Sequence, residues 1–167
     1  MMISVEEARR YYEGARSSHD FDHVLRVMVL AERIARAEGG DLEVVRAAAL
    51  LHDIGRAEEE RTGEDHAQIS ARRAREILSG HPPEKVEAVA DAIAAHRFRQ
   101  GPPPATPEAR ALFDADKLDA MGAIGIARAF AHAGAHGQRL WAPPEVARAQ
   151  GDGTPDHTPV HEFLFKL

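Results

Sequence analysis

The 167-residue chain contains no cysteine. Disulfides and thiolate zinc sites are therefore excluded, and any metal must be held by nitrogen and oxygen ligands from His, Asp and Glu. Aromatic residues are few, with one Trp, two Tyr and six Phe. Sparse aromatic and β-branched residues beside abundant Ala, Leu, Glu and Arg favour helices over strands and predict an all-α fold. An excess of basic charge is missing too. Against 27 Asp and Glu stand 21 Lys and Arg, a formal net charge of −6, so the surface offers no general footprint for a nucleic-acid polymer. The longest uninterrupted apolar stretch, Ala47 to Leu51, is far short of the roughly 20 residues that cross a bilayer. The opening MMISVEEARR has no signal-peptide core. A cytoplasmic protein without a membrane partner is expected. This length suits one domain with a continuous core and not two ordinary ones, so residues 1–167 are read as a single domain.

Helix signals punctuate the chain. Ser4 with Glu7 forms a capping-box pattern that opens a short helix running to about Ser17. Asp20 or Asp22 can cap a second helix, in which Val24, Val27, Met28, Ala31, Ile34 and Ala35 recur at three-and-four spacing up to Gly39-Gly40. Asp41 caps LEVVRAAALLHDI, a strongly apolar and central helix expected to end at Gly55, and a charged loop RAEEERTGED follows. Asp65 caps HAQISARRAREIL, and Pro82-Pro83 opens EKVEAVADAIAAHRF. Pro107 starts a helix through EARALFDADKLDAM, with another segment from Gly122 to about His132. From Gly134 to Pro159 glycine, proline and polar residues predominate, which predicts a mobile loop or lid with a short helix around Pro144 to Gln150.

The most informative dipeptide is His52-Asp53, set between the apolar AAALL and Ile54-Gly55. A carboxylate in the last turn of an apolar helix opposes the macrodipole and loses hydration, and a bound cation reverses both penalties. His23 lies in line with Val27, Leu30 and Ile34, at steps of four, three and four, so it projects from the apolar stripe of its helix. Asp116 continues the series Ala109, Leu112 and Phe113 and precedes Ala120. Each residue taken singly has an ordinary alternative as a core polar group satisfied by its neighbours. Two histidines and two carboxylates directed into one small helical core are harder to explain that way. Such ligands suit manganese, iron, cobalt, nickel, magnesium or zinc. His66, at a helix start, should be a neutral imidazole, and His96 extends the Val86, Val89, Ile93 stripe.

The ordered series His23, His52-Asp53 and Asp116, in the contexts DFDHVLRV, LLHDIGR, HAQISARRAREIL, AIAAHRF and LFDADKLDAMGAIGIARAF, resembles the H…HD…D signature of the HD superfamily of metal-dependent phosphohydrolases. Within it the chain looks like the small bacterial branch that includes nucleotide pyrophosphohydrolases, over roughly residues 10 to 132. The resemblance implies a compact all-α helical bundle, with His23, His52, Asp53 and Asp116 as metal ligands. The implied substrate is a small phosphorylated molecule, a nucleotide above all. A water brought towards neutral pKa by the metal would attack the α-phosphorus of a nucleoside triphosphate, releasing monophosphate and pyrophosphate.

Asp53 and Lys117 are the candidate catalytic residues, Asp53 as proton acceptor and Lys117 against transition-state charge. Arg26, Arg56, Arg97, Lys117 and Arg128 neighbour the motif residues and are candidates for phosphate contact. In two-metal members of the superfamily two intervening histidines complete a second site, which points to His66 and His96. Phosphate contact and a plain structural role remain open for that pair. Glu58, Glu59, Glu60 and Glu64 read as a solvated run from which one carboxylate can orient water. A nucleoside monophosphatase, a phosphodiesterase, a nucleotide-sensing module without turnover and a purely structural helical domain are the alternatives. Related chains continue for further helices after a segment like VHEFLFKL, whereas this one stops at Leu167. Truncation, or cover by a partner subunit in a homo-oligomer, is expected there. No role is assigned to His132, His136, His157 or His161.

Overall fold

The computed structural model describes residues 1–13, 21–97, 102–143, 145–146 and 158–161. The chain divides into two compact units, Met1–Leu118 and Asp119–Leu167. The first contains α1 (Val5–Arg9), a 3₁₀ turn (Arg10–Tyr12), α2 (Phe21–Glu38), α3 (Leu42–Leu51), α4 (Arg56–Thr62), α5 (His66–Ile77), α6 (Pro83–Ala94) and almost all of α7 (Pro107–Asp119). The second contains α8 (Gly122–Ala135). There is no strand among the described residues, so the fold is all-α. None of the described helices is long and apolar enough to cross a membrane.

The core of the first unit is organised around α3. Asp41 accepts hydrogen bonds from the Glu43 and Val44 amides at 2.8 and 3.3 Å and so caps the helix. Val44, Val45 and every residue from Ala47 to Leu51 are buried. α3 packs on α2 and α6, and α6 packs on α5. Gly39 turns the chain out of α2 at φ 76°, the left-handed conformation expected of it. Asp65 caps α5 through the Ala67 amide at 2.8 Å, and Pro83 begins α6 as anticipated. The Glu108 carboxylate of α7 accepts from the Asp41 amide at 2.8 Å, tying α7 to the α2–α3 corner. Ala109, Ala111, Leu112 and Ala115 of α7 join the same apolar core.

Four expectations need correction. The charged loop after the HD pair is instead a short helix, α4, ended by Gly63 at φ 76°. Ala, Glu and Arg favour helix, and the Arg56–Glu59 pair, three residues apart, adds support. No residue of α4 is buried, so it carries no apolar period by which to announce itself. The first helix gives way after Arg9 to a 3₁₀ turn instead of continuing regularly. Asp22 lies inside the first turn of α2, and Asp20 is outside the described residues. Finally, α3 ends at Leu51, and Gly55 begins α4 at φ −86° instead of terminating α3.

Glycine at position 55 answers a close approach. A Cβ there would lie 2.6 Å from the His66 carbonyl oxygen and 2.9 Å from Ile69 Cβ, while the Gly55 amide donates to Ser70 Oγ at 2.9 Å. The turn carrying the HD pair therefore rests directly on α5.

In the second unit α8 runs to Ala135, a few residues beyond the expected end, and the Arg128 guanidinium pairs with Asp119 at 2.8 Å. Of the lid expected over 134–159, residues 134–135 belong to the end of α8 and residues 145–146, within the short helix expected there, are helical, while 144 and 147–157 lie outside the described residues, as do the last six residues of VHEFLFKL.

Gly55→Ala should destabilise the protein by about 1–3 kcal/mol through overpacking against α5. A lowered urea midpoint at unchanged m-value checks this, and an unshifted midpoint contradicts it.

Candidate metal centre

His23 enters from the first turn of α2, and His52 and Asp53 from the turn that leaves α3; all three are buried. The phenol of Tyr12 donates to the Leu50 carbonyl at 3.0 Å and steadies the end of α3. His52 Nδ1 lies 2.7 Å from the Ala49 carbonyl oxygen. A carbonyl only accepts, so Nδ1 carries the hydrogen and Nε2 is left with a lone pair. That Nε2 is buried and has no hydrogen-bond partner. Its neighbour is another acceptor, Asp53 Oδ2, at 3.7 Å. Burial, ahead of the charges around it, pushes the His52 imidazole down to about 3, so it stays neutral.

The remaining residues converge on Asp53. Its Oδ2 is 3.9 Å from His23 Nε2, which is itself 3.4 Å from Asp116 Oδ1. His23, His52 and Asp53 each offer an atom to one possible cation position. Two ligands at about 2.0–2.2 Å from a common ion can lie up to about 4 Å apart, and these separations fit. Asp116 reaches this group from α7 through its contact with His23 and is not itself one of the three residues whose donor atoms converge. Burial would raise its carboxyl, but His23, Lys117, His52 and His96 outweigh that and hold it well below the usual range.

The other carboxylate oxygen, Asp53 Oδ1, faces a different set. Arg56 Nε lies at 3.0 Å, His66 Nε2 at 3.5 Å and His96 Nε2 at 3.6 Å. His96 Nδ1 is 2.6 Å from the Ile93 carbonyl, so its Nε2 also presents a lone pair, 3.2 Å from His66 Nε2. Asp53, His66 and His96 form a second group able to hold an ion. Burial first, then the Arg56 charge, depress His66 to about 4. Asp53 thus belongs to both groups, one carboxylate oxygen facing each.

The charged candidates sort by place. Lys117 Nζ lies 2.9 Å from Asp116 Oδ2 and 3.3 Å from the His96 carbonyl, at the edge of the cluster. Arg56 pairs with Asp53, and Arg97 with Glu59 at 3.1 Å and Asp65 at 3.0 Å. Arg26 is partly buried on α2, about one turn beyond His23. Arg128 belongs to the second unit and pairs with Asp119 there. Glu59 was not singled out from its acidic run. It approaches His66 Nδ1 to 2.9 Å as well as Arg56 and Arg97. Its three-residue spacing from Arg56 was the only hint.

The HD domain family model matches residues 20–121. Bacillus subtilis YpgQ, described as an uncharacterized protein, is 36% identical over 137 residues, covering 80% of this chain and 66% of YpgQ, slightly under two thirds of its length. The crystal structure of YpgQ in complex with ADP superposes with a TM-score of 0.71 at 30% identity, over 98% of this chain and 79% of that one. A predicted HD superfamily hydrolase from an uncultured Thermotogales bacterium gives 0.63 at 36% identity, over 96% and 82%. Ribonuclease Y of Chloroflexus aurantiacus is 32% identical over 94 residues, 56% of this chain and only 17% of that enzyme.

His52 and His66 have lowered pKa values in the folded protein, so between their ordinary value of about 6.5 and about 4 the unfolded chain binds protons that the folded chain does not. Stability therefore rises with pH across that window and is lost on acidification. The depressed Asp116 carboxyl acts in the same direction at lower pH. Urea denaturation of the metal-free protein from pH 8 to 4 should show a plateau above about pH 7 and a decline below it. A flat profile contradicts the buried neutral histidines.

Proposed function

The chain belongs to the HD domain family, and from that premise we propose that it is a metal-dependent phosphohydrolase of small phosphorylated substrates, a nucleotide in particular. The observation that carries the reading is the buried His52 Nε2, a lone pair with no donor, facing an equally buried carboxylate. Grouped acceptors of this kind are costly unless a cation joins them. His23, His52, Asp53 and Asp116 would hold the ion. His66 and His96 would hold a second one against Asp53 Oδ1. Manganese, iron, cobalt, nickel, magnesium and zinc all suit these donors.

When bound, a divalent cation lowers the pKa of water and acts as Lewis acid towards a phosphoryl oxygen. Asp53 can receive the proton the attacking water loses, since its carboxylate is held in place from both sides. Lys117, at the edge of the cluster, offsets negative charge developing on the phosphoryl oxygens. Arg56 and Arg97 are about two-thirds buried. Their guanidinium groups can exchange the Asp53 and Glu59 carboxylates for phosphate oxygens, which they pair with equally well. The ADP bound by YpgQ supports a nucleotide as substrate. For a triphosphate, attack at the α-phosphorus gives monophosphate and pyrophosphate.

The likeness to ribonuclease Y over 94 residues favours phosphodiester hydrolysis as a second reading. The acidic net charge weighs against a polymeric substrate.

Protein loaded with manganese, cobalt or nickel should hydrolyse members of a nucleotide panel and lose activity on chelation. Product analysis separates the readings: pyrophosphate marks the pyrophosphohydrolase, orthophosphate a monophosphatase, and a linear dinucleotide a phosphodiesterase. Asp53→Ala should lower bound metal by elemental analysis and kcat/KM by at least about 10²–10⁴-fold. Metal uptake with no turnover across the panel replaces the enzyme with a sensing module, and absence of metal uptake removes both.

A further inference from the structure

His66 presents its two ring nitrogens to opposite surroundings. Nε2 looks into the cluster, 3.2 Å from His96 Nε2 and 3.5 Å from Asp53 Oδ1. Nδ1 lies on the far side, 2.9 Å from Glu59 Oε2 and 3.8 Å from Asp65 Oδ1. In this geometry Nδ1 makes no hydrogen bond. Because His96 Nε2 is an acceptor, the single hydrogen of His66 has two competing places, Nε2 facing His96 at 3.2 Å and Nδ1 facing the Glu59 carboxylate at 2.9 Å, of which the charged acceptor is the stronger. A neutral imidazole carries one hydrogen, and the nitrogen bearing it cannot offer a lone pair. An anionic oxygen beside Nδ1 draws the hydrogen there and leaves Nε2 able to bind. His96 is oriented the same way by a different group, the Ile93 carbonyl at 2.6 Å.

Glu59 is itself held. Arg97 Nη1 lies 3.1 Å from its Oε1 and Arg56 Nη1 3.4 Å from its Oε2, and Arg97 also reaches Asp65 at 3.0 Å. These pairs connect α4, the start of α5 and the end of α6. If the Glu59 carboxylate were removed, Asp65 at 3.8 Å is too distant to hydrogen-bond Nδ1. The hydrogen would then be better placed on Nε2, directed at Asp53 Oδ1 or His96 Nε2, and would close that position to a cation.

We propose that Glu59 is a positioning residue: it holds His66 with its hydrogen on Nδ1, so that Nε2 stays open to a divalent cation shared with His96 and Asp53. This role rests on the metal-dependent reading in its two-ion form.

Nitrogen-15 NMR of the histidine rings in metal-free protein reads the tautomer without turnover. His66 should carry its hydrogen on Nδ1 in the wild type, lose that preference in Glu59→Ala, and regain it in Glu59→Gln, whose amide oxygen still accepts. Calorimetric titration with manganese alone should show the weaker of two ions bound about 10- to 100-fold less tightly in Glu59→Ala, with the tighter ion unchanged. Glu58→Gln, on the same helix but 3.9 Å from Arg61 and outside the cluster, should match the wild type in both measurements. An effect limited to α5 stability would lower the thermal midpoint without moving the His66 signals. His66 signals that do not change in Glu59→Ala overturn the role, as do isotherms that show manganese uptake and superimpose. A wild-type protein that takes up no manganese sinks the metal reading instead, a result distinct from either.

Discussion

The structure depends on keeping one carboxylate out of water. Asp53 is 3% exposed, and burying an ionised carboxylate costs several kcal/mol unless charge and hydrogen bonds answer it. Here the answer is divided between its two oxygens. Oδ1 meets a guanidinium and the second histidine pair, and Oδ2 meets the first. The first histidine pair contributes neutral acceptor nitrogen at His52, which cannot compensate a negative charge by itself. The site is therefore built as a set of lone pairs around an anion, an arrangement whose electrostatics improve only when positive charge arrives. Arg56 supplies one fixed positive charge from the start of α4, and a divalent cation would supply more.

Rigid packing makes this possible. α3 is buried along most of its length and delivers His52 and Asp53 from the middle of the core. The turn after it lies so close to α5 that a methyl group at position 55 would strike the His66 carbonyl. The same contact fixes the distance between Asp53 and His66. Local hydrogen bonds to Ala49 and Ile93 orient His52 and His96, each to a carbonyl in the last turn of the helix that precedes the histidine. Those bonds set the tautomers before any ligand is present, which lowers the cost of organising the site.

Much of the first unit was legible along the chain. Capping residues Ser4, Asp41, Asp65 and Pro83 mark helix starts by local chemistry, and the apolar periods of α2, α3 and α6 are long enough to read directly. α4 was hidden because a surface helix of seven residues buries nothing and leaves no period. Gly55 reads as a helix terminator because left-handed ends are the common reason for glycine after an apolar run. Its actual constraint comes from residues 66 and 69, which no local window contains.

The chain by itself determined that the fold is helical, that any metal must bind nitrogen and oxygen donors, and which polar residues sit on apolar faces. These follow from residue chemistry and short-range periodicity. Only the tertiary structure decided that Asp53 divides its oxygens between two histidine pairs, that Arg56 and Lys117 pair inward with carboxylates, and that Glu59 stands behind His66. Those facts depend on distances between helices, and helix crossing is set by the packing of many side chains at once, which one-dimensional spacing does not encode.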